Sequence, residues 1–153
     1  MKKIYTIALF LLVVCEMQAQ SFVQTKQQQF YLDGKPYYYI GANYWYGSVL
    51  GLEKDKNRGI DRLRKELDFL KSKGIDNLRV LATTEGEGFI NGVQRVQPPF
   101  QTGRGKFNVS VLDGLDILLA EMAKRNMKAV LFLSNNWEWS GGFLQYLRWK
   151  QVK

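Results

Sequence analysis

Histidine is absent from this sequence, and cysteine occurs once, as Cys15. Without histidine there is no Ser-His-Asp hydrolase site and no histidine-ligated metal. A lone cysteine forms no intramolecular disulfide. Long apolar runs are scarce as well. The one that stands out, from Ile4 to Val14, falls short of the about twenty residues that span a bilayer. It follows Lys2 and Lys3 and leads to Met17-Gln18-Ala19-Gln20. That order describes a secretory signal peptide over residues 1–19, with cleavage expected after Ala19. The stretch Leu12 to Cys15 faintly resembles a lipoprotein signal, but Val14 stands where a small residue is usual. The mature chain, residues 20–153, is then exported, extracellular or periplasmic, and free of cysteine. Blocks of like charge are missing too. The net charge is +8, yet no run of five or more like charges occurs, so a solvated basic surface is expected and a nucleic-acid partner is not.

What is present suffices for one packed domain: 46% of residues are apolar and 14% aromatic. Phe30 to Leu32, Asp33-Gly34 and Lys35 to Tyr37 read as a short β-hairpin, the Asp-Gly pair supplying the positive φ angles of a tight turn. A strand follows from Tyr37 to Ala42. Ile60, Leu63, Leu67 and Leu70 recur at three- and four-residue steps, which predicts an amphipathic helix that Gly74 terminates. Ile75 to Ala82 reads as a second strand. Residues 83–107 read as one long loop, functional or disordered. A second helix is expected from Val109 to Asn126, with Ser110 and Asp113 spaced as a capping box. Met127 to Leu133 is a third strand, almost wholly apolar. SNNWEWSGG follows it, and a third helix opens near Phe143.

Alternating strands and helices predict parallel strands with crossover helices. Strands that read as apolar runs suit a sheet covered on both faces. A nucleotide-binding sheet would carry a glycine-rich turn after its first strand. Here Asn43, Tyr44, Trp45 and Tyr46 stand in that place, so the α/β fold expected is the first three units of a (β/α)₈ barrel, after the hairpin. Working residues of such barrels lie at the C-terminal ends of the strands. Those ends hold Asn43 and Trp45, then Arg79, then Asn135, Asn136, Trp137 and Trp139. Flat aromatic faces stack on sugar rings and amides bond hydroxyls, so the residue types point to a carbohydrate cleft. Packing alone also accounts for tryptophans at strand ends, and Asn135-Asn136 for a turn. Arg79, within an apolar strand, is expected to be buried and to need a carboxylate partner. Glu85 and Glu87, in TTEGEG, sit two apart in a loop read as mobile. That suits poorly the rigid carboxylate pair of a glycosidase. Glu138 has no evident second carboxylate. No metal or cofactor is expected.

FYLDGKPYYYIGANYWYG, ELDFLKSKGIDNLRVLA, LFLSNNWEWSGG and QYLRW, in that order, resemble the opening of a glycoside hydrolase family 5 enzyme, and within it the endo-β-1,4-mannanases. The likeness covers residues 22–150. It implies a secreted, monomeric barrel that cleaves β-mannan, galactomannan or glucomannan with retention. It implies Arg79 as support for the nucleophile, and Trp45, Asn136 and Trp137 as sugar-subsite residues. It implies an acid/base glutamate in an Asn-Glu pair after strand four and a nucleophile after strand seven. This chain has no Asn-Glu pair. Both catalytic glutamates are therefore expected beyond Lys153. The chain is expected to be an N-terminal fragment, inactive alone and prone to aggregate through open strand edges. A non-catalytic carbohydrate-binding module is the alternative; it requires a cooperative fold.

Overall fold

The computed structural model describes residues 22–151. The expected leader, its cleavage point and Cys15 lie outside them. A first unit ends at Tyr38. Its strands β1 (Gln24–Lys26), β2 (Gln29–Leu32) and β3 (Lys35–Pro36) form an antiparallel sheet in that order. Asp33 and Gly34 turn β2 into β3 at φ of 52° and 74°, as the Asp-Gly pair predicts. The predicted two-stranded hairpin thus has a third strand. Gln27 and Gln28 make the extra turn at φ of 49° and 65°. Glutamine has no intrinsic preference for that backbone. The pairing of Lys26 with Gln29 closes it.

The second unit runs from Tyr39. Its elements are β4 (Gly41–Asn43), α1 (Gly47–Leu50), α2 (Lys56–Ser72) and β5 (Asn77–Leu81), then α3 (Val111–Ala123), β10 (Lys128–Phe132), a 3-10 turn (Glu138–Ser140) and α4 (Gly142–Trp149). The sheet has the order β10-β5-β4. Its strands are parallel, with Asn43 beside Arg79 and Phe132 beside Leu81. The Asp55 carboxylate caps α2 by accepting from the Arg58 N–H at 3.2 Å. Gly74, at φ 78°, ends it with the Ile75 N–H returning to Leu70 O at 3.1 Å. Leu63 and Leu67 of α2 and Leu118 and Met122 of α3 pack on Leu78 and Val80 of β5.

Both helices therefore bury the same face of β5. The opposite face carries Arg79, which is exposed, and Val130 of neighbouring β10 is also exposed. Coverage of both faces is the expectation for a whole sheet; this three-strand piece is covered on one. Residue-to-residue alternation along β5 sends Leu78 and Val80 to the helices and leaves Asn77, Arg79 and Leu81 on the other side. Helices gathered on one face are the arrangement of a barrel segment, not of a doubly wound sheet.

Three local expectations also change. Residues 83–107 hold two hairpins, β6 (Phe89–Ile90) with β7 (Val93–Gln94) and β8 (Gln101–Gly103) with β9 (Lys106–Phe107). Asn91-Gly92 turns the first at φ of 49° and 78°, the same turn chemistry as Asp33-Gly34. Ser110 is already helical and does not cap α3; its hydroxyl donates to Asn108 Oδ1 at 2.6 Å instead. A capping residue has non-helical φ and ψ, which aim its side-chain oxygen at the first free amides; at φ −64° and ψ −16° Ser110 lacks that geometry. Finally, α1 fills the link between β4 and α2, where no helix was expected.

Candidate functional site

The C-terminal ends of β4, β5 and β10 open on one cleft of about 780 Å³. Asn43, Leu81 and Phe132, the last residues of the three strands, line its floor. Arg79, Trp45, Asn136 and Trp137 all line it as well, although they come from three separate parts of the chain. Their convergence follows from parallel pairing, which brings every strand's C-terminal end to one side.

Arg79 differs from its predicted setting. It is exposed rather than buried, and no carboxylate pairs with it among the described residues. Its guanidinium carbon lies 3.6 Å from the centre of the Phe132 ring, and Nη1 donates to Asn43 Oδ1 at 3.4 Å. A cation over an aromatic face needs no buried counter-ion. Arg79 thus reaches the cleft from the open face of the sheet.

SNNWEWSGG divides its labour. Asn135 shapes the turn: its Oδ1 accepts from the Trp137 N–H at 2.6 Å and from Ser140 Oγ at 3.1 Å. Asn136 is exposed to the cleft. Trp139 lines the cleft too and is held in place by the backbone around it. Its indole N–H donates to Gln94 O at 3.1 Å, and its own carbonyl accepts from the Val96 N–H at 3.2 Å. Trp45 stands edge-on to it with ring centres 4.5 Å apart. Trp137 is 71% exposed, which leaves its flat face free.

Glu85, expected in a mobile loop, is 3% exposed. Its Oε2 accepts from the Gly142 N–H at 3.3 Å, its Oε1 from the Tyr146 hydroxyl at 3.2 Å, and its N–H donates to Ser140 O at 3.0 Å. Burial pushes its carboxyl above the usual range, against the opposing pull of Tyr146 and Gly142. It is an anchor that pins the tryptophan loop from behind. Gly141 makes room for it, since a Cβ there would lie 2.3 Å from Glu85 Oε2. Glu87 is exposed, and Glu138 pairs with Arg148 at 3.1 Å. None of the three glutamates lines the cleft. Sequence reasoning missed the role of Glu85 and the need for Gly141, because their contact joins residues more than fifty positions apart.

A family model described as GH family 5 beta-mannosidase-like matches residues 20–153. The chain belongs to this family. It is 30% identical over 142 residues to mannan endo-1,4-beta-mannosidase 1 of Solanum lycopersicum, covering 92% of this chain and 32% of the relative. A mutant of the glycoside hydrolase family 5 mannosidase from Rhizomucor miehei superposes with a TM-score of 0.74 at 39% identity, over 85% of this chain and 31% of that one. A mutant of the same mannosidase in complex with mannosyl-fructose gives a TM-score of 0.71 at 38% identity, with 85% and 31% covered. The family 5 chain thus spans about a third of the length of the relatives it matches.

Proposed function

We propose that the second unit, residues 39–151, forms one wall of the sugar cleft of an exported endo-1,4-β-mannosidase, with the leader over residues 1–19 removed after Ala19. The observation that carries this is the convergence of Arg79, Trp45, Asn136 and Trp137 on one cleft, in a chain similar to the tomato endo-mannosidase. Trp137 offers its flat face to the apolar face of a mannose ring. Asn136 and Asn43 offer amides to ring hydroxyls. Arg79 carries a positive charge to the cleft, where it would hold a carboxylate nucleophile in its ionised form. Retaining hydrolysis takes two carboxyl groups about 5–5.5 Å apart. Among the described residues no carboxylate lines the cleft. This chain alone is therefore expected to bind mannan without cleaving it.

The test is a tryptophan fluorescence titration of the purified chain with mannohexaose, beside an assay for reducing sugar released from mannan. Binding should weaken about tenfold in Trp137→Ala, the scale of one lost aromatic stack. No sugar release should exceed that of an Arg79→Ala control. An unchanged affinity in Trp137→Ala, or release above the control, refutes the reading. The likeness to the Rhizomucor miehei mannosidase supports a second reading, a site for short manno-oligosaccharides. The endo reading expects mannohexaose to bind more tightly than mannobiose. Equal affinities favour the second.

A further inference from the structure

Helix α2 places no residue in the cleft, yet one of its carboxylates reaches the lining residue Trp45 in two contacts. Glu66 Oε2 accepts from the Tyr44 hydroxyl at 2.6 Å and from the Tyr46 hydroxyl at 3.0 Å. Its other oxygen accepts from Arg62 Nε at 2.7 Å. The two tyrosines flank Trp45 in the chain. Tyr44 is buried, and its N–H is bound to Arg79 O at 2.9 Å. The Tyr46 ring packs on Tyr44 at 4.7 Å and stands edge-on to Trp45 at 5.3 Å. A continuous row of contacts thus runs from Glu66 through Tyr46 and Trp45 to Trp139.

Burial opposes the charge on Glu66, but hydrogen bonds from Tyr44, Arg62 and Tyr46 outweigh it and hold the carboxyl below its usual value. Burial first, and then the bond to Glu66, raises both tyrosine hydroxyls, so they remain donors at neutral pH. Packing alone does not call for this arrangement, because phenylalanine rings would fill the same space. Two hydroxyls meeting on one fixed oxygen constrain the direction of the segment as well as its burial.

We propose that Glu66 is a positioning residue for Trp45: by holding both flanking tyrosines it sets the angle at which the indole faces the cleft. Its consequence for binding rests on the sugar-cleft reading above; its geometry does not. The test compares Glu66→Ala, Glu66→Gln and Tyr46→Phe in the purified chain. One readout is the far-ultraviolet exciton couplet of the Trp45–Trp139 pair, identified by its loss in Trp45→Phe. The other is the affinity for mannohexaose.

Glu66→Ala should lose most of the couplet and weaken binding about tenfold. Glu66→Gln keeps an oxygen that accepts from both tyrosines, so it should stay within about twofold of the parent chain. A lowered urea midpoint in Glu66→Ala with couplet and affinity unchanged would mean a structural role only, and overturns the proposal. If Glu66→Ala fails to fold, Tyr46→Phe decides. A weakened couplet and affinity support the proposal, and unchanged values overturn it. If the parent chain binds no mannohexaose while the couplet still depends on Glu66, positioning stands and the sugar-cleft reading falls.

Discussion

Gly141→Ala is expected to destabilise the tryptophan turn by about 3 kcal/mol or more and to abolish sugar binding. Two effects add. Gly141 has φ 117°, a conformation that L residues rarely adopt, and forcing one there costs about 1–3 kcal/mol. The new Cβ would also lie 2.3 Å from Glu85 Oε2, 2.6 Å from its Cβ and 2.7 Å from its backbone nitrogen. Rotating the Glu85 side chain relieves only the first of these overlaps. Overpacking of this kind costs about 1–3 kcal/mol. The measurement is hydrogen exchange at three amides: Glu85, bound to Ser140 O; Gly142, bound to the Glu85 carboxylate; and Val96, bound to Trp139 O. All three should lose protection. Gly88→Ala is the control, with φ 88° but nothing within 4 Å of its Cβ. It carries backbone strain without the clash, and should leave these amides protected. Equal exchange in the two variants would show that the Glu85 contact does not hold the turn.

The second large effect concerns the clamp between the crossover helices. Glu121 of α3 has a side chain only 6% exposed. Its Oε1 accepts from Arg64 of α2 at 3.0 Å and from Lys124 at 2.7 Å, and its Oε2 from Arg125 at 2.9 Å. Arg125 also reaches Asp68 of α2 at 2.7 Å. Hydrogen bonds from Arg64, then Lys124, with Arg125, lower the Glu121 carboxyl from an ordinary 4.5 to about 2. A depressed carboxylate stabilises the fold fully above its unfolded value. That contribution is lost as the pH falls from 4.5 through about 2. Taken whole, the shift corresponds to about 3 kcal/mol. Arg64 and Lys124 are 47% and 62% exposed, so solvent screens part of it, and about 2 kcal/mol is expected.

Glu121→Gln should therefore lower the urea midpoint at pH 7 by about 1 M, followed through helical circular dichroism. The two chains should converge as the pH approaches 2, because the parent loses its charge there and the variant has none to lose. Parallel curves across the whole acid range would show that the carboxylate charge does not carry the clamp.

Much of this architecture is written in local pattern. Ile60, Leu63, Leu67 and Leu70 mark α2, and its stop at Gly74 needs no more than the next few residues. The apolar runs at β5 and β10 mark parallel strands. Their alternation with helices is enough to carry Trp45, Arg79, Asn136 and Trp137 to one end of the sheet, since parallel pairing leaves no other place for them. The family likeness rests on the same short stretches.

The remainder depends on which distant residues meet. Arg79 read as a buried cation in need of a carboxylate, because sequence shows an apolar neighbourhood and not which face the side chain takes. Alternation along β5 puts it on the face away from the helices, where it lies over the Phe132 ring. Glu85 read as loose because it sits in a long loop with several glycines; its partners, Gly142 and Tyr146, lie 57 and 61 positions away. Nothing in the local sequence sets Glu66 apart from the other charges of α2; its two tyrosine partners lie 20 and 22 positions away. Hydrophobic periodicity is a property of neighbours along the chain, and it survives in the sequence. The choice of hydrogen-bond partner for a buried polar group is made across the fold, and only the packed tertiary structure determines it.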